Sequence, residues 1–203
     1  GLKELYYGTF ANCNSLVSIK LPNSLTQIIN TEQKSFYLEE KYYESAARGL
    51  FYNCSKLESI DMGKAALTAL GFCTFYKCQK LRSIDLSGCK LEEIPDYAFY
   101  DCDSLRSVKF PTTLTTISNY AFAENFSLAS LTLPAGFSTI KDNAFNNCKK
   151  IKSIDFSATS LTSIKDWFAY TDSLRTVKLP ETVTSTAPPS AIASSKKSIY
   201  RQL

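Results

Sequence analysis

The segment YAFYDCDSLRSVKFP, residues 97–111, decides the fold, because variants of it recur along most of the chain. Seven phenylalanines mark the copies: Phe10, Phe51, Phe75, Phe99, Phe122, Phe145 and Phe168. The intervals between them are 41, 24, 24, 23, 23 and 23 residues, so the first interval holds one repeat plus an insertion of 18 residues. A fixed period in the twenties is typical of a solenoid, in which each copy forms one coil and the coils stack.

Apolar residues recur at fixed offsets from each phenylalanine. The pair at +9 and +11, such as Val108 and Phe110, alternates with polar residues at +8 and +10, which is the period of a half-buried strand. A second apolar pair, three residues apart, follows in the first six copies. The phenylalanine and the residue at +3 lie three positions apart, which predicts a short helical turn that presents both side chains to the core.

The corner after the first strand takes two forms. Four copies end the strand with a proline (Pro22, Pro111, Pro134 and Pro180), which cannot donate to a strand ladder. Three copies have looser corners without proline: Met62-Gly63-Lys64, Leu86-Ser87-Gly88 and Phe156-Ser157-Ala158. Because every coil turns the same way, we expect neighbouring strands to be parallel.

The pattern Ala-Phe-x-x-Cys-x-x-Leu-x-x-Ile-x-Leu-Pro-x-x-Leu-x-x-Ile, approximated by residues 98–117, resembles the BspA-like leucine-rich repeat. Residues 121–140 are similar, except that Asn125 replaces the cysteine, and the resemblance covers about residues 2–180. It implies surface or secreted proteins of anaerobic bacteria and some parasitic protists that act as adhesins or ligand-binding modules. It supplies no catalytic motif.

The predicted fold class is a leucine-rich repeat solenoid with parallel β-strands on the concave face, short helical turns and second short strands on the other sides. We predict an array of about seven coils over residues 1–180, with an insertion at about 30–47. Residues 181–203 are predicted to form a degenerate capping coil that ends in a strand. Leu2 and Leu5 hold the offsets of Leu91 and Ile94, so the chain is expected to be a fragment or trimmed form that begins inside a repeat.

Composition argues against several classes of function. The net charge of +4 is too modest for a dedicated nucleic-acid binder, and no apolar run approaches the ~20 residues of a membrane span. Histidine is absent, which excludes Ser-His-Asp and Cys-His catalysis and any zinc site that contains histidine. Asp61 and Asp85 are expected on adjacent strands with no pocket between them. We therefore expect no enzyme, no metal and no cofactor.

Five of the seven cysteines occupy the +3 position: Cys13, Cys54, Cys78, Cys102 and Cys148. We interpret them as buried free thiols that pack as small apolar groups, although neighbouring coils bring them within disulfide range. No Cys-x-x-Cys pair indicates zinc. Cys89, in a corner, is expected to be the thiol most accessible to reagents.

Two aromatic groups are candidates for partner binding. The insertion carries Tyr37, Tyr42 and Tyr43, which either contact a partner or pack back on the solenoid. Tyr52, Tyr76 and Tyr100 share the +1 offset in successive coils. They are predicted to form an outer row, with Tyr97 and Tyr120 nearby, that either holds a sugar or peptide or stabilises the coil by stacking.

The outward strand positions form a third candidate. Serine or threonine fills +8, and the +10 residues that fall on adjacent coils are predicted to pair as Lys20 with Asp61, Asp85 with Lys109 and Asp155 with Lys178. A basic strip at +7 contains Arg82, Arg106, Lys152 and Arg175. The strip either attracts an acidic protein or sulfated glycan or is a solvated surface, and Arg82, Arg106 and Lys109 are candidate contacts.

These observations predict a non-catalytic surface or secreted module for protein–protein interaction or adhesion. The alternative is a structural spacer that holds another domain away from the cell. We expect a monomer, located extracellularly or at the cell surface, whose ligand is a protein of host or extracellular-matrix origin or a glycan.

Overall fold

The computed structural model describes residues 1–29, 49–63, 65–164, 167–186 and 198–201. The strands of the described residues pair in parallel, as predicted, and form two ladders. The first ladder, on the predicted concave face, contains β2 (Ser18–Lys20), β4 (Ser59–Asp61), β5 (Ser83–Asp85), β7 (Ser107–Lys109), β10 (Ser153–Asp155), β12 (Thr176–Leu179) and β14 (Ser198–Arg201). The second contains β1 (Glu4–Tyr6), β3 (Gln27–Ile29), β6 (Glu93–Ile94), β8 (Thr116–Ile117), β9 (Thr139–Ile140), β11 (Ser163–Ile164) and β13 (Ser185–Thr186).

Register follows the repeat. Residues at the same offset pair across coils, as Ile19 does with Ile60 and Ile117 with Ile140. The structure is therefore a parallel-strand solenoid of about seven turns, as predicted. The predicted last strand is confirmed by β14, which pairs with β12. The other domain boundaries stay predictions, and the insertion at 30–47 lies outside the described residues.

The ladders are interrupted at defined places. In the first ladder, β4 and β5 belong to separate sheets, and residues 130–132 of the fifth coil form no strand although their pattern predicts one. In the second ladder, β9 pairs with β8 and β11 pairs with β13, so no strand pairing joins β9 to β11. These interruptions matter because the two described cavities lie at the β4–β5 and β9–β11 gaps.

The core is built around a continuous stack of the seven repeat phenylalanines. Each ring stacks on the next, with centroid distances of 4.9 to 5.5 Å and interplanar angles of 18° or less. Coils spaced like neighbouring strands, about 4.8 Å apart, place identical rings at a favourable distance for offset stacking. Phenylalanines that lie one repeat apart in the sequence therefore contact each other in the core.

The segment around each phenylalanine is a series of turns, so the predicted helical turn is wrong. Positive φ angles recur at −2 and +2, for example 56° at Tyr97 and at Asp101, and 52° and 62° at Tyr120 and Glu124. L-residues adopt this left-handed conformation only as single residues. Two such residues, four positions apart on either side of the phenylalanine, interrupt any right-handed helix there. From the second coil onward, the turns still place the phenylalanine and the +3 side chain in the core.

Tyr170 offers a test of these left-handed positions. It has a φ of 57° and is 73% exposed, so its side chain contributes little packing. Replacing Tyr170 with glycine should raise the free energy of unfolding by about 0.5–1 kcal/mol, because the relief of backbone strain exceeds the entropy cost of glycine. Urea unfolding measures the change. Tyr170→Val should be destabilising, and the opposite order of the two variants would contradict a left-handed residue here.

The corners without proline are held by the aspartate at +10. Asp61 Oδ1 accepts a hydrogen bond from the Gly63 amide at 2.8 Å, and Asp155 Oδ1 accepts from the Ser157 amide at 2.9 Å. Asp85 bonds the amide and hydroxyl of Ser87 in the same way. An aspartate that bonds two residues ahead makes an Asx turn. The corners predicted to be loose are therefore anchored by a side chain instead of by a proline ring.

The +3 ladder is a row of hydrogen-bond donors between coils. The thiols of Cys54, Cys78, Cys102 and Cys148 each donate to the carbonyl of the phenylalanine one coil earlier, at 3.0 to 3.2 Å. All seven cysteines are free, and four of the five at +3 are buried as predicted; the prediction is wrong for Cys13, which is exposed in the first coil. Burial raises the pKa of the Cys54 thiol to about 11, so it stays protonated and able to donate at neutral pH. The small inward residue thus connects neighbouring coils.

Candidate binding surfaces

The exposed face of the first ladder carries paired charges. Lys20 and Asp61 lie 3.1 Å apart, Lys109 and Asp85 3.1 Å apart, and Lys178 and Asp155 2.9 Å apart. All three predicted cross-strand pairs are therefore formed. The candidate contact Lys109 is consequently already engaged by Asp85, although its side chain remains largely exposed. Exposed pairs of this kind contribute only about 0–1 kcal/mol, so a partner can displace them at small cost.

The basic strip at +7 is only partly neutralised. Arg82 Nη2 lies 3.0 Å from Glu58 Oε2 on the preceding coil. Arg106, Lys152 and Arg175 are exposed, and within the described part of the chain they make no ion pair. The strip therefore presents a net positive surface beside β7, β10 and β12, and Arg106 is the predicted contact that remains available.

The outer tyrosines form the predicted row. Tyr52 stacks on Tyr76 at 5.1 Å, Tyr76 stacks on Tyr100 at 5.0 Å, and Tyr97 stacks on Tyr120 at 5.1 Å. Tyr76 is buried within this row. The faces of these rings are occupied by each other, which favours the stabilising interpretation, and a role in partner binding stays a prediction. Tyr37, Tyr42 and Tyr43 lie outside the described residues.

A cavity of about 290 Å³ lies between β4 and β5 and is lined by Asp61 and Asp85. The prediction that no pocket separates these aspartates is wrong, because the two strands are not paired. A hydrogen bond from the Gly63 amide lowers the pKa of the Asp61 carboxyl. The pKa of the Asp85 carboxyl is also lowered, mainly by a hydrogen bond from the Ser87 hydroxyl. Both are ionised at neutral pH, so neither acts as a proton donor there.

Thiol accessibility also differs from the prediction. Cys89 lines this first cavity but is buried, and its thiol donates to the Ala65 carbonyl at 3.5 Å. Cys13 in the first coil is the exposed thiol among the described residues. Within that part of the chain, no group of three or more histidine, cysteine, aspartate or glutamate residues is arranged to hold a metal.

A second cavity, of about 330 Å³, lies between β9 and β11. Its lining residues are Asn119, Ser138, Thr139, Ile140, Lys141, Asp142, Thr162, Ser163 and Trp167. The repeat pattern does not reveal this site, because the cavity depends on the missing pairing between β9 and β11. Trp167, the single tryptophan of the chain, was the one unusual residue that could have drawn attention to it.

Comparison with known families agrees with this geometry. The BspA type leucine rich repeat region matches in six copies, over residues 1–64, 29–126 and 70–197. The chain belongs to the BspA-type leucine-rich repeat family. Membership confirms the resemblance drawn from the spacing of Phe, Cys, Leu and Ile and places the chain among repeat scaffolds. No curated protein matches the chain.

The BspA-type chain also resembles solved structures. The pneumococcal vaccine antigen PcpA aligns with a TM-score of 0.57 and 21% identity, covering 100% of this chain and 60% of that one. A leucine-rich repeat protein from Bacteroides ovatus aligns with a TM-score of 0.54 and 19% identity, covering 98% and 45%. The T. pallidum leucine-rich repeat protein aligns with a TM-score of 0.50 and 21% identity, covering 88% of this chain and 66% of that one. At these identities the likeness shows the fold alone.

The BspA-type array brings together only some of the predicted contacts. Arg82, Arg106 and Lys109 lie on neighbouring coils of one face, and Tyr52, Tyr76 and Tyr100 form a separate row. In the described part of the chain there is no helix with the length and apolar character needed to cross a bilayer.

Proposed function

We propose that this BspA-type repeat is a non-catalytic module that binds an acidic protein partner through the first ladder. The observation that carries the proposal is the unneutralised part of the basic strip, Arg106, Lys152 and Arg175, held beside rigid paired strands. The paired strands already fix the backbone, so binding need not order the main chain, although each long side chain still loses about 0.5–1.5 kcal/mol of rotamer entropy. Arginine is also enriched at the energetic centres of protein interfaces.

The neighbouring residues suit such an interface. Ser107, Ser153 and Thr176 stand at +8 on the same strands and supply hydroxyl groups that donate and accept hydrogen bonds. The charge pairs at +10 are exposed and can rearrange toward a partner. Electrostatic complementarity of this kind mainly raises the association rate.

An extracellular or cell-surface location is part of the proposal. It rests on family membership, because the resemblance implies surface and secreted proteins. A protein ligand of host or extracellular-matrix origin and an adhesive role follow from that location. The lowered pKa of Asp61 and Asp85 supports a non-catalytic role, because neither carboxyl group is a proton donor at neutral pH.

The test uses a charge reversal on the proposed surface. The chain is immobilised and its association with purified host extracellular-matrix proteins is followed at low and physiological salt. Arg106→Glu combined with Arg175→Glu should lower the association rate at least tenfold for the captured protein, and most strongly at low salt. The control double variant, Lys90→Glu with Lys150→Glu, reverses the same amount of charge at exposed positions outside the +7 strip. It should change the association rate little. Equal loss in both double variants would contradict the proposed surface.

A structural spacer is the second candidate, and a specific observation favours it. Many residues that were predicted to contact a partner are engaged within the chain: Lys109 and Arg82 by carboxylates, and Tyr52, Tyr76 and Tyr100 by stacking. If the chain is a spacer, the wild-type chain captures none of the matrix proteins at either salt concentration, while it remains folded by circular dichroism.

A further inference from the structure

The outward positions of the second ladder change character along the solenoid. Three successive coils place serine or threonine at both outward positions, Thr115-Thr116, Ser138-Thr139 and Thr162-Ser163, and the exposed Thr184 follows in the next coil. The earlier coils have Glu92-Glu93, Thr68-Ala69 and Thr26-Gln27 there. One side of the solenoid therefore carries a surface rich in hydroxyl groups, on a different ladder from the charged face of the proposed protein interface.

At the first residue of two of these pairs, the side-chain hydroxyl group donates a hydrogen bond to a backbone carbonyl. Thr115 Oγ1 donates to the Glu92 carbonyl at 3.1 Å, and Ser138 Oγ donates to the Thr115 carbonyl at 3.5 Å. Thr139 Oγ1 lies 3.4 Å from Ser138 Oγ. A hydroxyl oxygen that donates its proton keeps two lone pairs, so these groups can still accept from a ligand that brings hydroxyl donors.

The second cavity opens within this hydroxyl surface. Its volume of about 330 Å³ falls at the lower end of small-molecule sites, which span ~300–1,000 Å³. Thr139 and Ser163 form facing parts of the wall, from β9 and β11. Lys141 and Asp142 add one charge of each sign, and Lys141 Nζ already lies 3.2 Å from Glu93 Oε1. Among the described residues, the charges of the lining therefore balance, and its side chains are mostly polar.

Trp167 forms a buried part of the cavity wall. Its side chain lines the cavity and is only 2% exposed, packed edge-to-face on Phe156 and Phe168. Its indole Nε1–H has no acceptor among the described residues. A buried donor without a partner is rare in folded proteins, because it loses its bond to water without replacement. Nε1 itself has no accessible surface, so Trp167 shapes the wall while the hydroxyl groups of Thr139 and Ser163 supply its polar contacts.

We propose that the cavity between β9 and β11 binds a neutral carbohydrate of one or two sugar units. Sugar hydroxyl groups both donate and accept, which matches a lining that combines the hydroxyl groups of Thr139 and Ser163 and the Asp142 carboxylate with the ammonium donor of Lys141. The site is separate from the basic strip, and the binding of sugar does not depend on the proposed protein interface.

The experiment follows the emission of Trp167, which reports on the cavity wall because it is the single tryptophan. The full chain is titrated with cellobiose, lactose and N,N′-diacetylchitobiose, and with digalacturonate as an anionic comparison, with calorimetry alongside. At least one neutral disaccharide should give a saturable change and a lower Kd than digalacturonate. Absence of saturable binding by all three neutral sugars, or tighter binding of digalacturonate, overturns the proposal.

Two matched variants locate the binding. Thr139→Val removes a hydroxyl from the cavity and keeps the β-branched shape, and should weaken the bound disaccharide about three- to tenfold. Thr116→Val makes the same change at the paired position one coil earlier, where the residue does not line the cavity, and should leave the Kd unchanged. Ser163→Ala provides a second test from the opposite wall. Equal Kd values in wild type, Thr139→Val and Ser163→Ala, with all proteins folded by circular dichroism, overturn the site.

Discussion

Truncating Phe99 to alanine should lower the free energy of unfolding by about 3–5 kcal/mol. Phe99 is fully buried and stacks on Phe75 at 4.9 Å and on Phe122 at 5.0 Å. The change removes a large apolar side chain, leaves a cavity between two coils and breaks the stack into two parts. Urea unfolding followed by circular dichroism measures the loss.

Phe10→Ala is the matched control at the end of the same stack. Phe10 is partly buried and stacks on Phe51 alone among the repeat phenylalanines, at 5.3 Å. Its truncation should cost about 1–2 kcal/mol, because less apolar area leaves the core. Equal losses for Phe10→Ala and Phe99→Ala would mean that a continuous stack is not what stabilises the middle of the array.

The phenylalanine stack and the strand register were predictable because one physical constraint controls both. Stacked coils repeat at the strand spacing, so any residue type at a fixed offset meets its own copy on the next coil. The pairs Lys109–Asp85 and Lys178–Asp155 and the row Tyr52–Tyr76–Tyr100 follow from the same rule. Sequence offsets alone therefore predict contacts between coils.

Backbone conformation within a coil was harder to predict. The turns were mistaken for a helical turn because the three-residue spacing of Phe99 and Cys102 fits both. Asn12, Asn53 and Asn147 at +2 were the available signal, since asparagine is enriched at positive φ. Tyr97 and Glu124 adopt the same conformation and hide that signal, because their residue types rarely do so.

The corners and the cavities show two further limits. An aspartate at +10 followed two residues later by glycine or serine signals an Asx turn, and Asp61, Asp85 and Asp155 carry it in all three corners without proline. The cavity beside Trp167 has no such local signal. It arises because β9 and β11 fail to pair, which depends on the geometry of two coils together.

Asn125 is the inward +3 residue that departs most from cysteine, and Asn125→Leu should lower the free energy of unfolding by about 2–3 kcal/mol. The side chain is fully buried, and its Nδ2 donates to the carbonyls of Phe99 and Phe122 at 2.7 Å and of Ala123 at 3.2 Å. Leucine has similar bulk but no donor, so it would leave buried carbonyl oxygens without this partner. Chemical denaturation measures the loss.

Asn125→Cys is the informative control, because it restores the residue that the other coils use. The thiol of Cys102 donates to the Phe75 carbonyl at 3.1 Å, and a cysteine at 125 is positioned to donate to Phe99 in the same way. The substitution also removes Asn125 Oδ1, a buried acceptor that has no partner among the described residues. These effects offset the lost amide bonds, so Asn125→Cys should stay within about 1 kcal/mol of wild type. A cysteine variant as unstable as Asn125→Leu would show that the amide, and not a donor from one coil to the next, is what this position requires.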